Sequence, residues 1–464
     1  MVSAALLLIS LSAIAGFTAF HSGGMSDLHW RIAIAATAVV AVLYVLLDRR
    51  DGAPELDRRT RVLLTALLVY VGIQAIPLPV QVLDVLSPAR AEATRALITA
   101  GIDQKLATLS VAPSVTLYRL FTIATYIVMF LLSREAGWKL RSNPWLAVTP
   151  LVVIAVAESL TGIAQHTAAV TVTPAHGTYV NRNHFSGLLE LALPFAVLYP
   201  VYTVMQMAQR RPAKSTGGAL ALISVVAGTT LLVGILFSLS RMGFAVTLLS
   251  LFLIAALLVS KYVSHRGRLA AIGSLTVATL LAFIFLPPDE LIERFAQLAS
   301  SDHFKSETRL QLWKETLRLL SDYPVFGCGA GGYESAFLKY QDVVPLTAVE
   351  YAHNDYLQWV AELGTIGFLI AAALVALFVQ ASVLAWRSHP TPAGRMVALA
   401  CFASFAALLI HSIVEFQSFI PANALMMSWI AGIASSLTIE WEPISMNDLF
   451  GRPAVITVSV TSAR

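Results

Sequence analysis

The sequence predicts an all-α polytopic membrane protein with about twelve transmembrane helices and a large, partly helical outer loop before the tenth. Three observations carry this. Of the 464 residues, 57% are hydrophobic and 12% charged, whereas a soluble globular chain is nearer 45–50% apolar and about 25% charged. So little charge cannot cover a water-facing surface, which excludes a soluble enzyme, a secreted factor and a nucleic-acid binder. The apolar residues gather into runs of roughly 20, the length that crosses a bilayer core of about 30 Å. Basic residues fall in alternate connections between those runs, as the positive-inside rule requires.

The twelve runs lie near 2–20, 31–47, 62–78, 117–133, 146–164, 184–205, 219–240, 242–260, 269–287, 362–386, 395–413 and 419–438. The first lacks the basic flank of a secretory signal and is read as a span. The seventh and eighth run together as about 42 residues, too long for one crossing. Ser238-Leu239-Ser240-Arg241-Met242-Gly243 interrupts them, so the chain is expected to reverse near Arg241.

With the N-terminus in the cytoplasm, the inner connections hold Arg49, Arg50, Arg58, Arg59 and Arg61, then Arg134, Lys139 and Arg141. Arg210, Arg211 and Lys214 follow, then Lys261, Arg266 and Arg268, then Arg387 and Arg395, then Arg452 and Arg464. These make 18 of the 31 cations, and every short inner loop is basic. Both termini are therefore expected inside, with residues 439–464 as a cytoplasmic tail on a single membrane domain, 1–464.

The outer side carries two long loops, 79–116 and 288–361. The second is 74 residues long with 11 acidic and 6 basic side chains, the reverse of an inner loop. Within it, residues 305–320 place Leu310, Trp313, Leu317 and Leu320 on one helical stripe, which predicts an amphipathic helix over the membrane domain.

A charge near a membrane costs from a few to about ten kcal/mol, so isolated ones are functional candidates. Arg182, in Asn181-Arg182-Asn183-His184-Phe185-Ser186-Gly187, and Arg241 sit at outer span ends where they do not help topology. Guanidinium groups bind phosphate bidentately and keep their charge, so the pair suits a lipid-linked diphosphate; the alternative is snorkelling to lipid headgroups. A third element is Ala352-His353-Asn354-Asp355-Tyr356-Leu357-Gln358, at the mouth of the tenth span and followed by Glu362-Leu363-Gly364. His353 is of the type that takes a proton near neutral pH, or else is a satisfied structural group. His411 and Glu415 stand four apart at the outer end of the eleventh span, hence on one face, where they orient a substrate or pair with each other, the pairing being preferred. Glu158 and Glu190 fall inside spans and need partners, which an outer arginine such as Arg182 could supply.

Gly327-Cys328-Gly329-Ala330-Gly331-Gly332 is glycine-rich but lies outside any βαβ unit. It is read as a tight turn closing the amphipathic helix. Cys328 and Cys401 are too few for a disulfide framework and are expected to be free thiols. The ten histidines lack ligand spacing, so neither a metal nor another cofactor is expected.

These motifs resemble the O-antigen ligase and polysaccharide polymerase family of bacterial inner membranes. The resemblance rests on NRNHFSG at 181–187, SLSRMG at 238–243, RLQLWKETLRLLSDYPVFGCGAGGYESAF at 309–337 and AHNDYLQWVAELGTIGF at 352–368. It implies a GT-C-like glycosyltransferase that moves a glycan en bloc from undecaprenyl diphosphate to an acceptor sugar on the periplasmic face. Ligase members use lipid A–core as acceptor, polymerase members another lipid-linked repeat unit. The family's phosphate-binding arginines map onto Arg182 and Arg241 and its loop histidine onto His353. Asn183, His184, Asn354, Tyr356, Arg309, Arg119, His411 and Glu415 are expected in supporting roles. The implied partners are the lipid-linked donor, the glycan acceptor, the bilayer and, for a polymerase, a chain-length regulator; polymerisation of exopolysaccharide or O-antigen is preferred over ligation. Fixed guanidinium groups suit a departing diphosphate, where one well-placed donor is worth about 3–4 kcal/mol. A transporter or flippase is the competing class, but no repeated halves appear and the charges cluster at outer ends. A non-catalytic scaffold would leave both arginines unexplained.

Overall fold

The computed structural model describes residues 2–47, 52–102, 104–208, 215–287, 289–296, 303–342 and 348–439. The cations Arg49, Arg50, Arg210, Arg211, Lys214, Arg452 and Arg464, and the expected tail beyond residue 439, lie outside them. The chain is an all-α polytopic membrane protein. Its helices run α1 (Val2–Phe20), α2 (Asp27–Leu47), α3 (Arg58–Gln74), α4 (Val80–Leu86), α5 (Pro88–Thr99) and α6 (Pro113–Lys139). Next come α7 (Pro144–Ala168), α8 (Arg182–Ala208), α9 (Ser215–Phe237), α10 (Arg241–Tyr262), α11 (His265–Phe285) and α12 (Asp289–Ala296). The last are α13 (His303–Asp322), α14 (Tyr333–Phe337), α15 (Asp355–Ser388), α16 (Pro392–His411) and α17 (Pro421–Ser436). Each of the twelve apolar runs is helical, and nine of the helices are long and apolar enough to cross a membrane among the described residues.

Burial sorts the helices into layers. α8, α16 and α17 form the centre, with Phe185, Leu189, Val397, Cys401 and Trp429 almost wholly enclosed. α2, α9 and α11 form the rim and expose Leu43, Ile223 and Leu280, as lipid-facing helices do. α6 and α17 approach through small residues: a Cβ on Gly432 would strike Ser133 and the Phe130 carbonyl, and one on Gly137 would strike Ser436. Close packing of this kind supplies helix association where lipid tails are as apolar as leucine. Both cysteines are buried and free.

The connections at one end of the bundle are short. Those at the other end hold everything else, including α4, α5, α12, α13 and α14. Residues 79–116, expected as a loop, contain α4 and α5, and Leu78–Pro79 pairs antiparallel with Leu106–Ala107. The turn expected near Arg241 is present: Ser238–Ser240 separate α9 from α10. On α13 the expected stripe is displaced. Leu312, Glu315, Thr316 and Leu319 are buried, while Leu310 and Leu317 are each 54% exposed. The helix faces inward through the neighbouring arc because Thr316 and Tyr333 share a hydrogen bond and Leu319 packs with Tyr333 and Phe337.

α15 is broken at Gly364, where φ is +63° and ψ is −176°. The glycine-rich segment patches the break. Cys328 N and Gly329 N donate to the carbonyls of Ala361 and Glu362, and Thr365 N and Ile366 N donate to those of Pro324 and Val325. Gln74 Nε2 donates to the Phe326 and Glu362 carbonyls while its Oε1 accepts from Ala330 N. The segment therefore does more than end α13: its backbone replaces helical hydrogen bonds that would otherwise be orphaned.

Candidate functional site

Three helices begin at the loop-rich end, each with a capped N-terminus. Asn181 Oδ1 accepts from Asn183 N at α8, Ser240 Oγ from Gly243 N at α10, and Asn354 Oδ1 from the Tyr356 and Leu357 amides at α15. Such caps satisfy one or two donors and leave the positive end of each helix dipole at the loop-rich end. α8 meets α10 where Gly243 lies against Ser186; a Cβ there would sit 2.6 Å from Ser186 Oγ. Arg182 and Arg241 are the first residues of these two helices and both are half-buried.

The centre of the site is Glu415, on the loop between α16 and α17, with a side chain 1% exposed. Its Oε1 accepts from Asn183 Nδ2 at 2.6 Å and from Arg309 Nη2 at 2.6 Å. Its Oε2 lies 3.2 Å from His353 Nδ1 and 3.6 Å from His184 Nε2, the latter beyond hydrogen-bond reach. Burial alone would raise its pKa, but the His184 and His353 rings and the Arg309 charge outweigh it and hold the carboxyl well below the usual carboxylate range. Glu415 is thus an ionised acceptor, and the hydrogen between it and His353 resides on Nδ1. In the neutral imidazole the lone pair is then on Nε2.

His353 itself stands at φ +48°, a left-handed conformation that costs a non-glycine residue of order 1–3 kcal/mol. Asp355, two residues on, anchors it. Asp355 N donates to the carbonyls of Ser412 and Glu415, and Asp355 Oδ2 accepts from Ser412 Oγ and Ser418 N. The Phe416 ring meets His353 and His184 edge-on, at centroid distances of 4.9 and 4.4 Å. From below, Asn423 Nδ2 donates to the His184 carbonyl and Gln417 Nε2 to that of Asn183. Trp313 Nε1, on α13, donates to the Ala352 carbonyl and ties the outer helix to the histidine.

Of the residues singled out from sequence, His353, Glu415, Asn183, His184 and Arg309 come together. Asn354 caps α15, and Tyr356 Oη donates to the Leu409 carbonyl, so both shape the site from outside it. Arg119 lies apart on α6, its guanidinium 5.7 Å from the centre of the Phe419 ring. The expected His411–Glu415 pair does not form. α16 ends at His411, so the i, i+4 relation is lost, and His411 Nδ1 instead lies 3.0 Å from Glu190 Oε2. Of the interior glutamates, Glu190 pairs with His411, and Glu158 accepts from Thr178 N and Oγ1. Asp355, Gln417 and Asn423 were not singled out; their only signal was being polar residues close to apolar spans.

Residues 223–372 match the family model described as O-antigen ligase, in agreement with the resemblance read from the motifs. That stretch holds Arg241, Arg309 and His353, while Arg182, Asn183 and Glu415 lie outside it. No curated protein matches the chain.

Proposed function

From this family match, which marks a glycosyltransferase-like enzyme, we propose that the chain moves a glycan en bloc from undecaprenyl diphosphate to an acceptor hydroxyl at its loop-rich end, facing the periplasm. The observation that carries the reading is the Glu415–His353 contact, which fixes the ring through Nδ1 and leaves Nε2 as the proton acceptor.

In the proposed reaction the acceptor O–H loses its proton to His353 Nε2 as its oxygen attacks the anomeric carbon. The bond from that carbon to the diphosphate oxygen breaks, and the electron pair leaves with the diphosphate. Arg182 and Arg241, on adjoining helix N-termini, stabilise the charge that accumulates there. Direct displacement inverts the anomeric centre, and trapping a glycosyl-enzyme would overturn that step. Arg309, engaged with Glu415, is assigned to positioning.

Polymerisation of lipid-linked repeat units is the preferred outcome. Ligation to lipid A–core is the second reading, and the matching family's description favours it. Reconstitution with an undecaprenyl-diphosphate glycan tests both. A ladder of repeat lengths supports the polymerase and a single addition to lipid A–core the ligase. Wild-type transfer by Arg182→Ala, Arg241→Ala and His353→Ala would remove the site assignment.

A further inference from the structure

Two buried polar residues that take no part in the proposed reaction stand one turn apart on α15. Gln358 is 0% exposed and Glu362 4%. At i, i+4 spacing they lie on the same side of the helix. Gln358 Nε2 donates to Glu362 Oε1 at 2.7 Å, and Gly331 N, from the glycine-rich segment, donates to Glu362 Oε2 at 2.7 Å. At its other end Gln358 Oε1 accepts from Ala352 N at 2.7 Å. Ala352 immediately precedes His353, and its carbonyl accepts from Trp313 Nε1 at 3.0 Å. The residue before the histidine is therefore held at both its N–H and its C=O.

Donor counting gives this chain a direction. The Ala352 N–H needs an acceptor, so the Gln358 amide turns its oxygen towards it and its NH2 towards residue 362. Gly331 N also donates to residue 362, which must then accept on two atoms. A carboxylate does so, whereas an amide there offers one oxygen to two donors. The Arg119 guanidinium faces Glu362 from α6 and balances its charge. His353 needs such anchoring: its φ of +48° is one that a non-glycine residue keeps only where the surroundings over-determine it. Asp355 holds the chain after the ring and Gln358 holds it before, with the 3.2 Å contact to Glu415 between them.

We propose that Gln358 and Glu362 are positioning residues for His353: the Glu362 carboxylate orients the Gln358 amide, and the amide holds Ala352 where the next ring meets Glu415. The consequence for rate rests on the glycosyl-transfer reading; the consequence for the ring does not.

The test uses the full chain in lipid bilayers with isotopically labelled histidine and reads the ring nitrogens by solid-state NMR. The His353 signals are identified by their loss in His353→Asn. In the wild type the hydrogen of the neutral ring should reside on Nδ1. In Glu362→Gln, which keeps the side chain's shape, a second population with the hydrogen on Nε2 should appear. In the same variant kcat should fall by about 10- to 100-fold, as a misplaced reacting group loses rate, with KM for the donor unchanged. Combining Glu362→Gln with Gln358→Glu exchanges the two groups and restores every hydrogen bond. The carboxylate then accepts from Ala352 N and from the new amide, whose oxygen accepts from Gly331 N. The exchanged pair should regain both the Nδ1–H ring and the wild-type kcat. A wild-type ring in Glu362→Gln would overturn the proposal. So would an exchanged pair that fails to restore the ring, whether or not the thermal midpoint recovers. If the ring responds as expected and the wild type transfers no glycan, the positioning role stands and the glycosyl-transfer reading falls. If Glu362→Gln transfers glycan at the wild-type rate, the positioning assignment alone falls.

Discussion

Glu415 Oε2 lies 3.2 Å from His353 Nδ1, a contact that joins the loop after α16 to the residue two before α15. One carboxylate thereby sets the tautomer of the only histidine that the sequence motifs placed at the outer loop's end. Its other oxygen holds Asn183 and Arg309, so three separate segments are referenced to the same group.

Replacing Glu415 by Gln preserves the shape and removes the charge that keeps hydrogen on Nδ1. Transfer by Glu415→Gln is expected to fall by about 100-fold or more, the contribution of a positioned base, with KM for the donor little changed. Steady-state transfer measured against both substrates checks this. An equal loss in donor affinity would instead point to collapse of the α8 N-terminus.

The depressed pKa of Glu415 also gives a sign for acid stability. A group whose folded pKa is lowered contributes fully above the unfolded carboxylate value of about 4.3, and the contribution is lost as pH falls through the folded value. Between about pH 5 and pH 3 the wild-type thermal midpoint should therefore fall more steeply than that of Glu415→Gln. Parallel curves would show that the carboxylate is not held ionised by its neighbours.

Arg182→Ala and Arg241→Ala should each lower transfer by roughly 100-fold, the loss typical of one missing charge-stabilising donor. Lysine at either position should restore only part of it, because an ammonium cannot grip phosphate bidentately. Full activity in both lysine variants would argue for a headgroup anchor instead.

His411 is expected to matter for folding more than for chemistry. It is fully buried against Glu190, and deleting one member of a buried pair costs about 3–5 kcal/mol by leaving the other uncompensated. His411→Ala should lower the thermal midpoint sharply while transfer per folded molecule survives. A kinetic defect without a stability defect would return His411 to the site.

Gly364→Ala should destabilise the break in α15. Its φ of +63° with ψ of −176° is a glycine region costing other residues about 1–3 kcal/mol, and the added Cβ would strike the Val325 carbonyl. Thermal unfolding of the reconstituted variant measures this, and a midpoint equal to the wild type would refute the backbone latch.

Much of the fold was legible because lipid imposes one strong rule: a spanning backbone must satisfy its own hydrogen bonds. Apolar runs therefore became helices at all twelve positions, and the turn before Arg241 followed from length alone. Local patterns fared worse where the solvent changed. The stripe Leu310, Trp313, Leu317 and Leu320 assumed a single apolar side, yet α13 turns Glu315 and Thr316 inward because Thr316 reaches Tyr333 and Glu315 accepts from Gln311 and Asp342.

By itself the sequence determined the class of protein, the helices, the two arginines that topology has no use for and the histidine at the mouth of α15. Composition and hydropathy act through the average environment of a segment, and a bilayer makes that environment nearly uniform. Pairing among polar residues depends on contacts across hundreds of positions, which no local period encodes. Only the tertiary structure decided that His411 turns to Glu190 rather than Glu415, that Glu415 gathers Asn183, Arg309 and His353, and that a glycine loop seals a broken helix beside them.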